Sequence, residues 1–186
     1  GVAGAFLLIP GAEAGDAITR FSVWIYSISI ILLFTASAVY HGVADPRIKR
    51  RLRILDHISI YFLIAGTYTP VALITLRDTS GWMLFWLVWG MALFGTVLKI
   101  FFTGRFEVFS VLLYLFMGWL IVVDLGNLLN LLSARAKLLL LMGGAFYTVG
   151  ILFYAIRKIP YNHVVWHLFV LGGAISHWAM IYGEII

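Results

Sequence analysis

The sequence predicts an all-α protein, a polytopic membrane bundle of seven transmembrane helices with the first of them truncated. Three observations carry this prediction. Hydrophobic residues make up 63% of the 186-residue chain and charged residues 11%, with a mean hydropathy of +1.03, which leaves too little polar surface to cover a water-soluble globule. Apolar stretches of about 18–23 residues, long enough to cross a bilayer as a helix, recur between short polar breaks. No stretch of ordinary soluble composition is long enough to form a domain of its own, so residues 1–186 read as one seven-helix transmembrane domain.

Residues 1–10 are apolar but reach only about 15 Å as a helix, half of a hydrocarbon core, and read as the remnant of a first span. Residues 11–20 carry Glu13, Asp16 and Arg20 and read as a loop. Residues 21–40 form the first full-length span, and His41 stands at its end. Residues 42–53 are the most basic stretch of the chain and read as a solvated loop. The next span is residues 54–76, with Asp56 and His57 at its start; residues 77–80 make a tight turn, and residues 81–102 span again with aromatic residues at both ends. Residues 106–123 are the fifth apolar segment, residues 124–137 a longer connection rich in Leu and Asn, and residues 138–156 the sixth. The last span is residues 163–182, entered through Pro160 and Asn162, with Asn162 as its N-cap. Glycines 90, 95, 143, 144, 150, 172 and 173 allow close approach of neighbouring helices.

Alternating these spans assigns each loop to a side. Arg47, Lys49, Arg50, Arg51, Arg53, Lys99, Arg105, Arg157 and Lys158 fall on one side, and only Arg20, Arg77, Arg135 and Lys137 on the other. The first side is therefore cytoplasmic, as is the N-terminus, and the C-terminus lies outside. The net charge of +5 is explained by orientation and implies no nucleic acid. Cysteine is absent, so any zinc must be held by histidine and carboxylate.

The chemistry gathers on the cytoplasmic side. His163 and His167 are four residues apart and share one helix face, so both imidazoles can point at a single ion. His41 ends its span at the same level, and Asp56 begins the next one there. Ser37 shares a face with His41. Three neutral imidazoles, His41, His163 and His167, would hold Zn2+ with a fourth position open to water, whose pKa the ion lowers from 15.7 to roughly 7. Asp56 could accept that water's proton, and Ser37 could orient a ligand or donate to a developing oxyanion. The N-terminus of the last span favours neutral imidazole in its first turn, which keeps His163 ready to bind. Each residue has a plainer reading: His41 capping its helix, Asp56 favoured by a helix dipole, Ser37 bonding its own backbone. Had His41, Asp56, His163 and His167 been structural accidents, nothing would require all four to share one membrane depth. His57 points about 100° away from Asp56, and His177 lies about 15 Å farther along its helix than His167, so neither joins the site. Glu107 reads as interfacial, and Asp124 as a loop or helix-packing residue.

Ser37-x3-His41, Asp56-His57 followed by Ile64-Ala-Gly-Thr-Tyr-Thr-Pro70, Tyr114-Leu-Phe-Met-Gly-Trp119 and His163-x3-His167 together resemble the hemolysin III branch of the progestin and adipoQ receptor family, a group akin to alkaline ceramidases. The resemblance covers almost the whole chain. It implies seven helices and a zinc ion on His41, His163 and His167, with Asp56 on a zinc-bound water and Ser37 nearby. The function expected is a zinc-dependent membrane hydrolase acting on an acyl-lipid amide or ester, with a membrane lipid as substrate and a bacterial inner membrane as its place. The alternatives are a receptor-like or lipid-homeostasis regulator with structural zinc and, less well supported by plain apolar spans, a cytolysin.

Overall fold

A bilayer offers no water to backbone N–H and C=O groups, so an apolar chain of this kind satisfies them within helices. The computed structural model describes residues 2–13, 15–156, 158 and 160–186. Gly1, which opens the first apolar stretch, and Arg157, one of the basic residues assigned to the cytoplasmic side, lie outside them. Among the described residues there are eight α-helices and no strand: α1 Val2–Glu13, α2 Ala17–Gly42, α3 Pro46–Pro70, α4 Gly81–Phe102, α5 Glu107–Trp119, α6 Leu125–Leu131, α7 Ala134–Ala155 and α8 Asn162–Glu184. A π-helical turn, Val71–Thr75, extends α3, and a 3-10 turn, Leu120–Asp124, joins α5 to α6. Six helical segments are long and apolar enough to cross a membrane, and the short α1 precedes them. A short first helix followed by six spans is the helical membrane bundle that the sequence predicts.

Four boundaries differ from expectation, each for a local reason. Residues 11–20 are not a loop throughout: α1 runs on to Glu13, and Asp16, accepting from Thr19 N–H at 2.8 Å, caps α2 so that it begins at Ala17. The basic residues 42–53 are not a loop. Asp45 accepts hydrogen bonds from the N–H groups of Arg47 (2.8 Å) and Ile48 (3.0 Å), Pro46 supplies a preset φ at the first position, and α3 therefore starts at the head of the basic run. Residues 124–137 are not a long connection either. Their leucines continue as α6, and Ser133 caps α7 by accepting from Ala136 N–H at 3.0 Å, so the helix begins at Ala134. Asn162 is not the N-cap of α8: Tyr161 takes that position in the left-handed region (φ 56°), and Asn162 is already helical. The carbonyl of Tyr161 accepts the first bond of the helix, from Val165 N–H at 3.0 Å.

The chain forms two compact units, one running to Val123 with Ile186 added, the other Asp124–Ile185. In the first unit α2, α3 and α4 enclose a core that includes Tyr26, Tyr61, Leu73, Leu84 and Val88, all nearly or fully buried. Small residues set the spacing: the Tyr61 ring lies where a side chain on Gly95 would stand, and Ser29 fills the space over Gly66. Tyr68 pins the end of α5 by donating to Gly118 C=O (2.9 Å) and accepting from Ile121 N–H (2.8 Å). Pro70 brings no N–H to the ladder, and the wider π turn follows directly.

The expected turn at residues 77–80 is present, and it closes tightly, with Gly81 N–H on Leu76 C=O at 2.9 Å. A Cβ on Gly81 would overlap the carbonyl oxygens of Ala72 and Leu76, backbone atoms that cannot rotate away. Gly81→Ala is expected to destabilise the protein by about 1–3 kcal/mol, seen as a lower unfolding midpoint in detergent. Asp16 caps α2 through Thr19 N–H (2.8 Å) and pairs with Arg77 at 2.7 Å. The Thr19 backbone donor first, and then Arg77, hold the Asp16 carboxyl well below its ordinary value of 3.8. A depressed folded-state pKa contributes stability that is complete above the ordinary value and lost as pH falls below it. Acidifying from about pH 5 to about pH 3 should therefore lower the melting temperature more steeply in the native chain than in Asp16→Asn.

The second unit centres on a hairpin of α7 and α8. Its helices exchange rings for glycines: Tyr147 of α7 lies over Gly173, 2.8 Å from where its Cβ would be, and Phe146 lies 3.0 Å from the corresponding point on Gly172. In return His177 of α8 fills the space over Gly143, and Phe169 and Trp166 that over Gly150. Gly95, Gly143, Gly150, Gly172 and Gly173 thus serve the close packing expected of them, whereas nothing lies within 4 Å of the Cβ positions of Gly90 and Gly144.

Candidate functional site

The predicted site residues fall into two groups, one in each unit. In the first unit Ser37 and His41 lie on the last two turns of α2, one turn apart on the same face, and Asp56 lies on α3. Asp56 is buried, at 9% exposure, although its side chain is ionisable. Its carboxylate accepts a hydrogen bond from the Ser37 hydroxyl, and His41 stands within electrostatic reach. The Ser37, His41 and Asp56 constellation is therefore a physical cluster. His41 is exposed, with its ring edge-on to Tyr40 at 4.7 Å between centroids. A buried carboxylate positioned by a hydroxyl and facing an accessible imidazole has the parts to hold and move a proton.

In the second unit His163 and His167 occupy the first two turns of α8, and their Nε2 atoms are 3.1 Å apart. Their rings are nearly perpendicular, 89° between planes. One Nε2–H can donate to the other nitrogen, or both lone pairs can face a common cation. Two imidazoles on a tetrahedral ion at about 2.0–2.1 Å hold their nitrogens about 3.3 Å apart, so the pair is already near the spacing that chelation requires. The donor set suits zinc: neutral nitrogen ligands on a rigid helix, one turn apart.

The remaining histidines are turned elsewhere, as expected. His57 faces away from Asp56, its Nδ1 3.9 Å from Glu107 Oε2, while its carbonyl accepts from the Tyr114 hydroxyl at 2.9 Å. His177 lies deep in the α7–α8 hairpin, against Tyr147 with ring centroids 5.6 Å apart and Nε2 3.4 Å from Leu140 C=O. Asp124 accepts from the Asn127 amide at 2.7 Å, a local bond at the entry to α6.

The sequence expectation missed one cluster. Glu107, placed at an interface by its position, is the first residue of α5 and the hub of an ion-pair network. It accepts from Lys99 Nζ at 2.8 Å, Arg53 Nη2 at 3.1 Å and Gly104 N–H at 3.2 Å. Lys99 is only 1% exposed. The signal was available: a lysine inside an apolar segment with an acid eight residues on is rarely left unpaired in a membrane protein.

Comparison with known proteins adds to this geometry. The profile of a family described as "Haemolysin-III related" matches residues 1–178. The chain is 44% identical over 168 residues to Hemolysin-3 of Bacillus cereus, covering 90% of this chain and 77% of that protein. It is also 44% identical over 169 residues to the Hemolysin-3 homolog of Bacillus subtilis, covering 91% and 79%. The human monocyte to macrophage differentiation factor is 29% identical over 197 aligned positions, covering 96% and 79%.

Proposed function

Because this chain belongs to the haemolysin-III related family and is a multi-pass integral membrane protein, we propose that it is a zinc-dependent hydrolase of an acyl-lipid amide or ester bond, acting at the cytoplasmic face of a bacterial plasma membrane. The observation that carries this reading is the convergence of the His163 and His167 Nε2 atoms on one point. The proposal adds His41 as the third ligand, on the argument that the ends of their two spans share a membrane face when the spans alternate. Bound by three imidazoles, zinc would keep one position for a non-protein ligand and supply a Lewis acid that polarises a carbonyl and acidifies water. Asp56 takes the proton of the attacking water and returns it to the leaving group. Ser37 holds the Asp56 carboxylate in the orientation this transfer needs. A substrate that stays in the bilayer reaches such residues from the lipid, without leaving for water.

A positioned general base contributes about 10²–10⁴-fold to rate. Asp56→Ala is therefore expected to lower turnover of a lipid amide or ester by at least about 100-fold, measured with purified, zinc-replete protein on a panel of both bond types. Turnover no higher than in that variant across the panel sinks the hydrolase reading, and bound zinc without turnover favours the regulatory one. The Bacillus relatives are named hemolysins, which supports a second reading, membrane lysis. Dye release from liposomes that is unchanged by Asp56→Ala would favour it.

A further inference from the structure

The basic run that opens α3 is helical, and its cations divide into two sets. Residues 47–53 hold five of them: Arg47, Lys49, Arg50, Arg51 and Arg53. Lys49 and Arg53, one turn apart, are engaged by the rest of the first unit. Lys49 Nζ lies over the Tyr40 ring, 5.4 Å from its centroid, and Arg53 pairs with Glu107. Arg47, Arg50 and Arg51 stand at i, i+3 and i+4, share the other face, and are all exposed. None of the ion pairs formed among the described residues includes them.

Left to itself, this arrangement opposes the helix that carries it. Cations near a helix N-terminus are disfavoured by the macrodipole, and like charges at i, i+3 and i+4 repel. Asp45, the acid just before them, caps the helix. The face is thus built for an anion from outside the chain. Its surroundings say which anion: two turns on, the same helix becomes the buried apolar part of a membrane span, so the guanidinium groups stand where the hydrocarbon ends and headgroups begin. Guanidinium binds phosphate through paired, parallel hydrogen bonds.

We propose that Arg47, Arg50 and Arg51 form a docking face for the phosphates of anionic phospholipids in the leaflet that α3 enters. The face is independent of the histidines and of any catalytic role. Each cation beside an anionic leaflet strengthens binding about fivefold.

Because the chain has no cysteine, a single fluorophore can be attached at Ala44→Cys, beside the arginines. The labelled protein is reconstituted in phosphatidylcholine vesicles containing a small fraction of lipid that carries a headgroup quencher, either phosphatidylglycerol or phosphatidylcholine. The expected result is an apparent association at least about fivefold stronger for the phosphatidylglycerol quencher. That preference should fall as salt is raised, vanish in R47Q/R50Q/R51Q and persist, weakened, in R47K/R50K/R51K, which keeps the charges and loses the paired hydrogen bonds. Equal quenching by the two lipids, or a preference that persists in the glutamine variant, overturns the proposal. The salt arm tests it on the native residues should the glutamine variant fail to fold.

Discussion

Alanine at His163 or at His167 is expected to abolish stoichiometric zinc binding. Losing a partner that merely orients a ligand costs about 10–100-fold in metal affinity, so losing a ligand should cost more than about 100-fold and bring bound zinc from about one ion per chain to background. The effect should be equal for the two residues, because their Nε2 atoms already lie 3.1 Å apart and neither chelates without the other. Metal content of the purified variants measures it directly. His41→Ala belongs in the same series. If zinc is lost in the first two variants and kept in the third, the pair on α8 binds alone and the three-histidine site is wrong. If zinc is kept in all three, the metal reading fails altogether.

Glu107→Gln is expected to produce the largest loss of stability from a single conservative change. The carboxylate faces Lys99, whose side chain is 2% exposed, and Arg53, whose side chain is 40% exposed. Removing one partner of a buried ion pair leaves an uncompensated charge and costs about 3–5 kcal/mol. Glu107 itself is about a quarter exposed, which places the expected cost near the lower figure, about 3 kcal/mol, after allowance for solvent screening. Replacing both members with uncharged residues, as in Lys99→Met with Glu107→Gln, should recover much of it, since what destabilises is the stranded charge. Unfolding of the two single variants and the double variant in detergent gives the coupling energy. A coupling below about 0.5 kcal/mol would mean that the network contributes nothing as a network.

The spans were legible because lipid imposes one rule on all of them, so segment length and composition sufficed. The ends were less so. The basic residues 42–53 suggested a loop because charge dominates their composition, yet Asp45 and Pro46 together are a helix start signal that acts locally whatever follows. Ser133 did the same for α7. At Asn162 a favourable residue type pointed to a cap, but the backbone turned one residue earlier, at Tyr161, through a left-handed conformation that residue type does not announce. Within the candidate site, the pairs one turn apart, Ser37 with His41 and His163 with His167, follow from helix periodicity alone. The Ser37 to Asp56 bond joins two helices, and only folding reveals it. The Glu107 network was legible only in part: Lys99 within an apolar segment called for an acid close by, but Arg53 joins from α3, and no spacing rule links it to the other two.

The exchange of rings and glycines between α7 and α8 has a mechanical consequence. A helix pair held by a one-sided stripe of small residues can slide, since each residue passes smoothly over the next. Here each helix carries both sockets and plugs, so a slip of one turn in either direction must withdraw Tyr147 and His177 from their sockets at the same moment, and no intermediate register is available. The hairpin is therefore locked lengthwise like a ratchet with pawls on both racks. The two imidazoles at the head of α8 keep a constant height against α7, however the rest of the chain moves.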